Sequence, residues 1–200
     1  MTGLNILVIR LGAMGDIIHT LPAVASLRQS FPHCAIVWAV EPRWMPLLEG
    51  NPCVDDILPV NRHSLSAIVQ LRQQMRKRRF ERAIDFQGLI KSSAVAMLSG
   101  AKKIYGLHRS AAREPLAALA YSHTCKPQAL HIIDRHLELA ACAGAPAAVR
   151  VYPLPPGQHE GVLPDGPFVL ANADAGWPAK EWPREDWSEL AHRLESCGCA

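Results

Sequence analysis

The sequence has no run of 18 or more uncharged apolar residues, which excludes an ordinary membrane-spanning helix. It has no Cys-x-x-Cys pair: Cys34, Cys53, Cys125, Cys142, Cys197 and Cys199 are scattered. The expectation is plain thiols in a reducing compartment, with no disulfide frame and no zinc or other metal site. Charge of one sign is scarce. The 21 Lys+Arg face 18 Asp+Glu, for a net charge of +3, too small an excess to imply a nucleic-acid partner. No basic segment precedes the apolar stretch at 4–10, and that stretch is too short for a signal-peptide core. The resulting expectation is a cytoplasmic protein. Low-complexity repeats are also lacking.

What is present is apolar material in short runs. The apolar fraction of 49% against 20% charged residues supports a buried core and excludes global disorder. At roughly 150 residues per domain, 200 residues make about one and a third domains. Runs at 4–10, 35–41, 56–60, 82–87 and 103–107 read as strands, the first feeding a Gly-containing loop at 11–16. Between them, 17–31 reads as a helix disturbed at Pro22. Residues 65–80 read as a helix with Leu65, Ile68, Val69 and Met75 on a buried stripe, and 89–98 as a helix closed by Gly100. Two further helices are expected around 114–121 and 130–143. The strand–helix alternation predicts an α/β protein with a Rossmann-like, doubly wound parallel sheet.

Pro153, Pro155, Pro156, Pro164 and Pro167 then cluster, which reads as a linker. The pattern restarts with a strand at 168–173, a loop at 174–183 and a helix at 184–195. The expected organisation is a first domain at 1–152, a linker at 153–167 and the incomplete start of a second domain at 168–200.

Chemistry is expected at the first loop, Arg10-Leu11-Gly12-Ala13-Met14-Gly15-Asp16. Gly12 and Gly15 permit a tight turn and close approach of a ligand. Parallel sheets place ligands at this end of their strands. The loop matches neither Gly-x-Gly-x-x-Gly nor a P-loop. Asp16 reads either as a helix N-cap or as a base for a hydroxyl substrate, because a carboxylate here would repel a pyrophosphate. The run Arg76-Lys77-Arg78-Arg79 reads as a solvated helix end or as an attraction to an anionic leaflet.

The stretch from Ile6 to Val24, with Met14-Gly15-Asp16-Ile17-Ile18-His19-Thr20-Leu21-Pro22-Ala23, resembles the N-terminal signature of glycosyltransferase family 9, the bacterial lipopolysaccharide heptosyltransferases. Asp85-Phe86-Gln87-Gly88-Leu89-Ile90-Lys91-Ser92 resembles the family's strand-to-helix loop. Ala112-Arg113-Glu114-Pro115-Leu116-Ala117 resembles the subgroup that adds the first heptose. Lys180-Glu181-Trp182-Pro183 and Trp187 resemble the first donor-side loop.

The resemblance implies a GT-B fold with an acceptor-binding first domain and a donor-binding second domain. It implies an inverting transfer from ADP-L-glycero-β-D-manno-heptose to Kdo-lipid A, without metal or separate cofactor. Asp16 matches the family's proposed base, and Lys180 its donor-phosphate lysine. Gly12, Met14, Gly15, His19, Gln87, Gly88, Lys91 and Arg113 are the expected substrate-binding residues. For Arg113, pairing with Glu114 is the competing local reading. For Lys91 it is a plain surface lysine, and for His19 a packed or exposed histidine. Peripheral contact with the inner membrane is a further expectation.

The sequence departs from the family in two places. Only Arg62, His63 and Arg72 stand where the family has a denser basic cluster. A later Asp-Thr-Gly-x-x-His motif does not occur before Ala200, so most of the donor half is expected to be missing. The alternatives are a heptosyltransferase II-like enzyme, or a non-catalytic module that binds an anionic sugar lipid.

Overall fold

The computed structural model describes residues 3–61, 64–157, 161, 165–166, 168–173 and 178–198. Arg62 and His63, two of the basic residues singled out above, lie outside the described residues. The chain divides into two compact units, Met1–Pro156 and Gly157–Ala200.

The first unit is built on six parallel strands: β1 (Asn5–Ile9), β2 (Ala35–Val40), β3 (Asp56–Pro59), β4 (Arg82–Asp85), β5 (Lys103–Leu107) and β6 (His123–Cys125). Their order in the sheet is β3-β2-β1-β4-β5-β6. Progression runs one way from β1 through β2 and the other way through β4, so the topological switch lies between β1 and β4. The expected Rossmann-like, doubly wound α/β architecture is what the chain forms.

Side chains alternate across the strands and fill two cores. On one face Ile6, Val8, Ile36, Trp38, Ile84 and Phe86 pack with Leu21, Val24 and Leu27 of one helix and Leu139 and Ala140 of another. On the other face Leu7, Ile9, Val37, Leu58 and Ala83 pack with Leu71, Met75, Val95 and Ala96. The helices are α1 (Met14–Ile18), α2 (Leu21–Ser30), α3 (Leu65–Lys77), α4 (Ile90–Ser99) and α5 (Ile132–Cys142).

Several expectations are corrected. The single helix at 17–31 is two, because Pro22 lies in the first turn of α2, where its missing N–H is harmless. The buried stripe of α3 is Leu71 and Met75, while Leu65 and Val69 are exposed. The four-residue step between Leu71 and Met75 keeps those two on one face. Residues 115–120 form a 3-10 helix, Pro115–Ala120. β6 is too short for a pattern in the sequence to mark. Cys125 and Cys142 are joined by a disulfide, against the expectation of plain thiols: the topology brings their Cα atoms to 6.1 Å although 17 residues separate them. The basic run closes α3, with Arg78 paired to Asp56 and accepting a hydrogen bond from the Asn5 amide at its carbonyl.

The second unit holds a 3-10 turn, Pro178–Lys180, and α6 (Arg184–Ser196). The strand expected at 168–173 is not formed. Those residues are exposed and hold no strand. A strand needs a hydrogen-bonded neighbour to exist as one.

Gly106 on β5 shows how tightly the first unit is fitted. A Cβ there would overlap the ring of Tyr121. Gly106→Ala is expected to cost about 1–3 kcal/mol of stability. Gly50→Ala, at a position with open space but φ +71°, tests backbone strain alone. Urea unfolding midpoints of the two variants measure the difference.

Candidate active site

The loops after β1, β2 and β4 meet at the switch point. Two buried polar residues lace them together. Arg10 follows β1 and is 4% exposed. One Nη donates to the Phe86 carbonyl at 2.5 Å, and the other pairs with the Asp16 carboxylate. Its backbone carbonyl accepts the Trp38 indole N–H at 3.1 Å. Burial draws the guanidinium below its ordinary pKa, while the charges of Asp16 and Asp85 pull the other way.

Asp85, at the end of β4, is fully buried. One carboxylate oxygen accepts from the amides of Gln87 (2.8 Å) and Gly88 (3.2 Å). The other accepts from Ser92 Oγ and the Tyr121 hydroxyl, both at 2.7 Å. Burial pushes this carboxyl up and the four donors pull it back. The same burial and the Asp85 charge push the Tyr121 hydroxyl up, so it stays a donor. The Gln87 side chain in turn accepts the Leu11 amide at 2.8 Å, which ties the β4 loop to the β1 loop.

Asp16 lies in the first turn of α1, and Ala13 is the N-cap, so the N-cap reading of Asp16 is corrected. Its side chain is 33% exposed. The carboxylate is thus anchored from below by Arg10 and open from above. Gly12 faces Trp44: a Cβ there would come within 2.7 Å of the indole nitrogen. Met14 and Gly15 are exposed, with nothing within 4 Å of a Cβ on Gly15.

Gly88 has φ +67° and sits against the Arg113 amide, 3.3 Å from where its Cβ would be. That contact brings the Arg113 loop to the same rim, and the Arg113 charge is felt at Arg10. Glu114 is committed elsewhere: its carboxylate accepts the Ile90 amide at 2.6 Å. Lys91 reaches Glu41 at 3.8 Å. His19 is the C-cap of α1. Gly12, Met14, Gly15, Asp16, His19, Gln87, Gly88, Lys91 and Arg113 therefore all belong to the first unit, on the loops and helices that follow β1, β4 and β5. Lys180 belongs to the second unit, exposed on its 3-10 turn.

Three partners were not visible in the sequence: Arg10, Asp85 with Tyr121, and His136. Arg10 ends an apolar run and carried a weak signal, since a charge there must be paired. His136 on α5 is fully buried, and its Nδ1 lies 3.2 Å from the His19 carbonyl and 3.4 Å from Thr20 Oγ1. Burial, then the nearby Arg10 charge, lowers the imidazole to about 3 from 6.5.

The model of glycosyltransferase family 9 (heptosyltransferase) matches residues 68–200. Lipopolysaccharide heptosyltransferase 1 of Pseudomonas aeruginosa is 30% identical over 206 residues, covering 96% of this chain and 58% of the relative. The Escherichia coli protein of the same name is 28% identical over 218 residues, covering 98% of this chain and 66% of the relative. The chain thus spans less than two thirds of the length of these relatives. Among solved structures, E. coli heptosyltransferase WaaC with ADP-2-deoxy-2-fluoro heptose superposes with a TM-score of 0.76 at 25% identity, covering 98% of this chain and 67% of that one. E. coli ADP-heptose lps heptosyltransferase II shares the fold, with a TM-score of 0.73 at 21% identity, covering 96% and 62%.

The low pKa of His136 gives the fold an acid sensitivity. Below pH 6.5 the unfolded chain binds a proton that the native state refuses, so stability falls as pH drops toward 3. Between pH 7 and pH 5 this group is expected to cost about 2 kcal/mol. Urea titrations should find that His136→Asn removes that part of the slope.

Proposed function

The chain belongs to glycosyltransferase family 9 (heptosyltransferase), and from that membership we propose that the protein transfers heptose from ADP-L-glycero-β-D-manno-heptose to a Kdo hydroxyl of Kdo-lipid A. The observation that carries the reading is the Asp16 carboxylate, one-third exposed at the sheet's switch point and paired from beneath with buried Arg10.

In this scheme the Kdo hydroxyl gives its proton to Asp16 as its oxygen attacks the anomeric carbon in line. The bond from that carbon to ADP breaks, ADP leaves with the bonding electrons, and the centre inverts. One base on the acceptor side suffices. The pyrophosphate gains negative charge as it leaves, and Lys180 is the cation assigned to it. Arg113, exposed and on the rim, is assigned to an acceptor carboxylate or phosphate, which a guanidinium binds in bidentate fashion. Gly12, Met14, Gly15, His19, Gln87, Gly88 and Lys91 are assigned to the acceptor surface around Asp16. The nucleotide sugar is a co-substrate, so the scheme calls on no separate cofactor and no metal.

The first-heptose acceptor is supported by relatives named heptosyltransferase 1 at 28–30% identity. A lipid-anchored acceptor accords with a cytoplasmic enzyme that contacts the inner face of the inner membrane peripherally. No helix among the described residues is long and apolar enough to cross a membrane.

Asp16→Ala in the whole gene product is expected to abolish transfer to Kdo-lipid A with the circular-dichroism spectrum of the parent, at an unfolding midpoint lowered by the loss of the partner of Arg10. Turnover retained by this variant would remove Asp16 from its role. A parent that accepts heptosyl-Kdo-lipid A and refuses Kdo-lipid A would move the assignment to the second heptose.

A further inference from the structure

His136 is a buried titratable group that the transfer scheme leaves without a task. It reaches the site from α5, which packs against α2 on the same face of the sheet. Its ring packs edge-on against Phe86, centroids 5.4 Å apart. Only its Nδ1 has polar neighbours: the His19 carbonyl at 3.2 Å and Thr20 Oγ1 at 3.4 Å.

The hydrogen positions follow from what each atom can do. A carbonyl only accepts, so the contact with His19 requires a proton on Nδ1. Thr20 Oγ1 gives its own hydrogen to the Asp16 backbone carbonyl at 2.8 Å. It therefore faces Nδ1 with a lone pair, and the N–H is shared between two acceptors. Nε2 is left bare, and it is buried with no partner among the described residues. A proton placed there would lose the Nδ1 hydrogen bond and gain none among the described residues.

The helix that benefits is α1. It has five residues, too few to hold itself together by propensity. Its last carbonyls have no partner within the helix. His136 and Thr20 supply donors to that end, at His19 and at Asp16 itself. Arg10 holds the other side of the same residue through its side chain.

We propose that His136, with its proton on Nδ1, is a positioning residue that fixes the carboxyl end of α1 and so aims the Asp16 carboxylate at the acceptor hydroxyl. The inference rests on the role given to Asp16 under the proposed function. His136 touches no substrate. It acts through the backbone of α1.

Two variants separate positioning from packing. In His136→Asn the amide nitrogen falls near the Nδ1 position and can donate to the same oxygens, but the smaller side chain leaves a void. In His136→Phe the shape is kept and the donor is lost. Phe should therefore be the more stable variant and Asn the more active one. The expected outcome is a fall in kcat of roughly 10- to 100-fold for Phe, the range that a small misplacement of a reacting group produces. KM for both substrates should stay within about twofold. Asn should keep kcat within about threefold although its unfolding midpoint is lower.

Activity that follows stability, with Phe near the parent and Asn impaired, overturns the proposal. A long-range proton–nitrogen correlation spectrum of the unmodified protein tests the geometry without any variant and without turnover. It should report the Nδ1-protonated tautomer from pH 5 to pH 8, and an Nε2-protonated ring overturns the proposal. Turnover retained by Asp16→Ala would sink the functional reading while leaving the tautomer result as it stands, so the two failures are distinguishable.

Discussion

The buried guanidinium of Arg10 is the constraint on which the site depends. A charge with 4% exposure is tolerated only when it is paired and hydrogen-bonded. Both Nη atoms of Arg10 are partnered, while its Nε is buried with no partner among the described residues. One Nη meets the Phe86 carbonyl after β4, and the other meets the Asp16 carboxylate in α1. The pair therefore spans the switch between β1 and β4, where the sheet's two halves diverge. Removing either partner would strand a charge, so the relative position of the two loops is specified by electrostatics as well as by the apolar cores beneath.

The second node repeats this logic with the sign reversed. Asp85 is a fully buried carboxyl that gathers four donors from the Gln87 and Gly88 amides, Ser92 and Tyr121. Those donors come from the β4 loop, from α4 and from the segment before β6. Gly106 is small because the Tyr121 ring lies over it on the way to Asp85. Gln87, turned by these bonds, accepts the Leu11 amide and closes the circuit back to the β1 loop. The Gly88 turn holds φ +67° and leaves room for the Arg113 backbone, so the one loop both shapes the floor and seats a cation on the rim.

Much of this was legible in the residues, for reasons that also explain what was not. β1 and β2 are apolar runs buried on both faces, and such runs announce themselves. The Gly-containing loop before Asp16 stood out as the candidate because open parallel sheets take ligands at the carboxyl ends of their strands. β6, three residues long, leaves no periodicity to find. The stripe of α3 was right at Met75 and misplaced at Leu65 and Val69, which are as apolar as Leu71, and only the sheet decides which of them it covers. The disulfide joins positions whose proximity is a product of the completed topology. The strand expected at 168–173 has the right residues, but a strand is a relation between two segments, and apolar residues alone do not supply the second one. Arg10 and Asp85 were missed as actors because a polar residue at the end of an apolar run looks the same whether its partner is water or a buried group, and His136 because a histidine inside a helix does not announce which face is covered.

The arrangement around Asp16 must satisfy two demands that oppose each other. A base needs a lone pair free for the substrate, and a carboxylate in a partly buried crevice needs its charge held. A fully paired carboxylate meets the second demand and fails the first. Here the charge is held from one side only: Arg10 takes one oxygen from below, and one third of the side chain faces outward. Freedom above is useful only if the backbone beneath does not move. A five-residue helix does not guarantee that, since its own hydrogen bonds are few. The direction of the carboxylate has to come from outside the helix, and the atoms in position to supply it are the Thr20 hydroxyl on the Asp16 carbonyl and the His136 ring behind it. The sheet thus determines where the carboxylate stands, Arg10 keeps its charge in place, and contacts from α5 determine which way it faces.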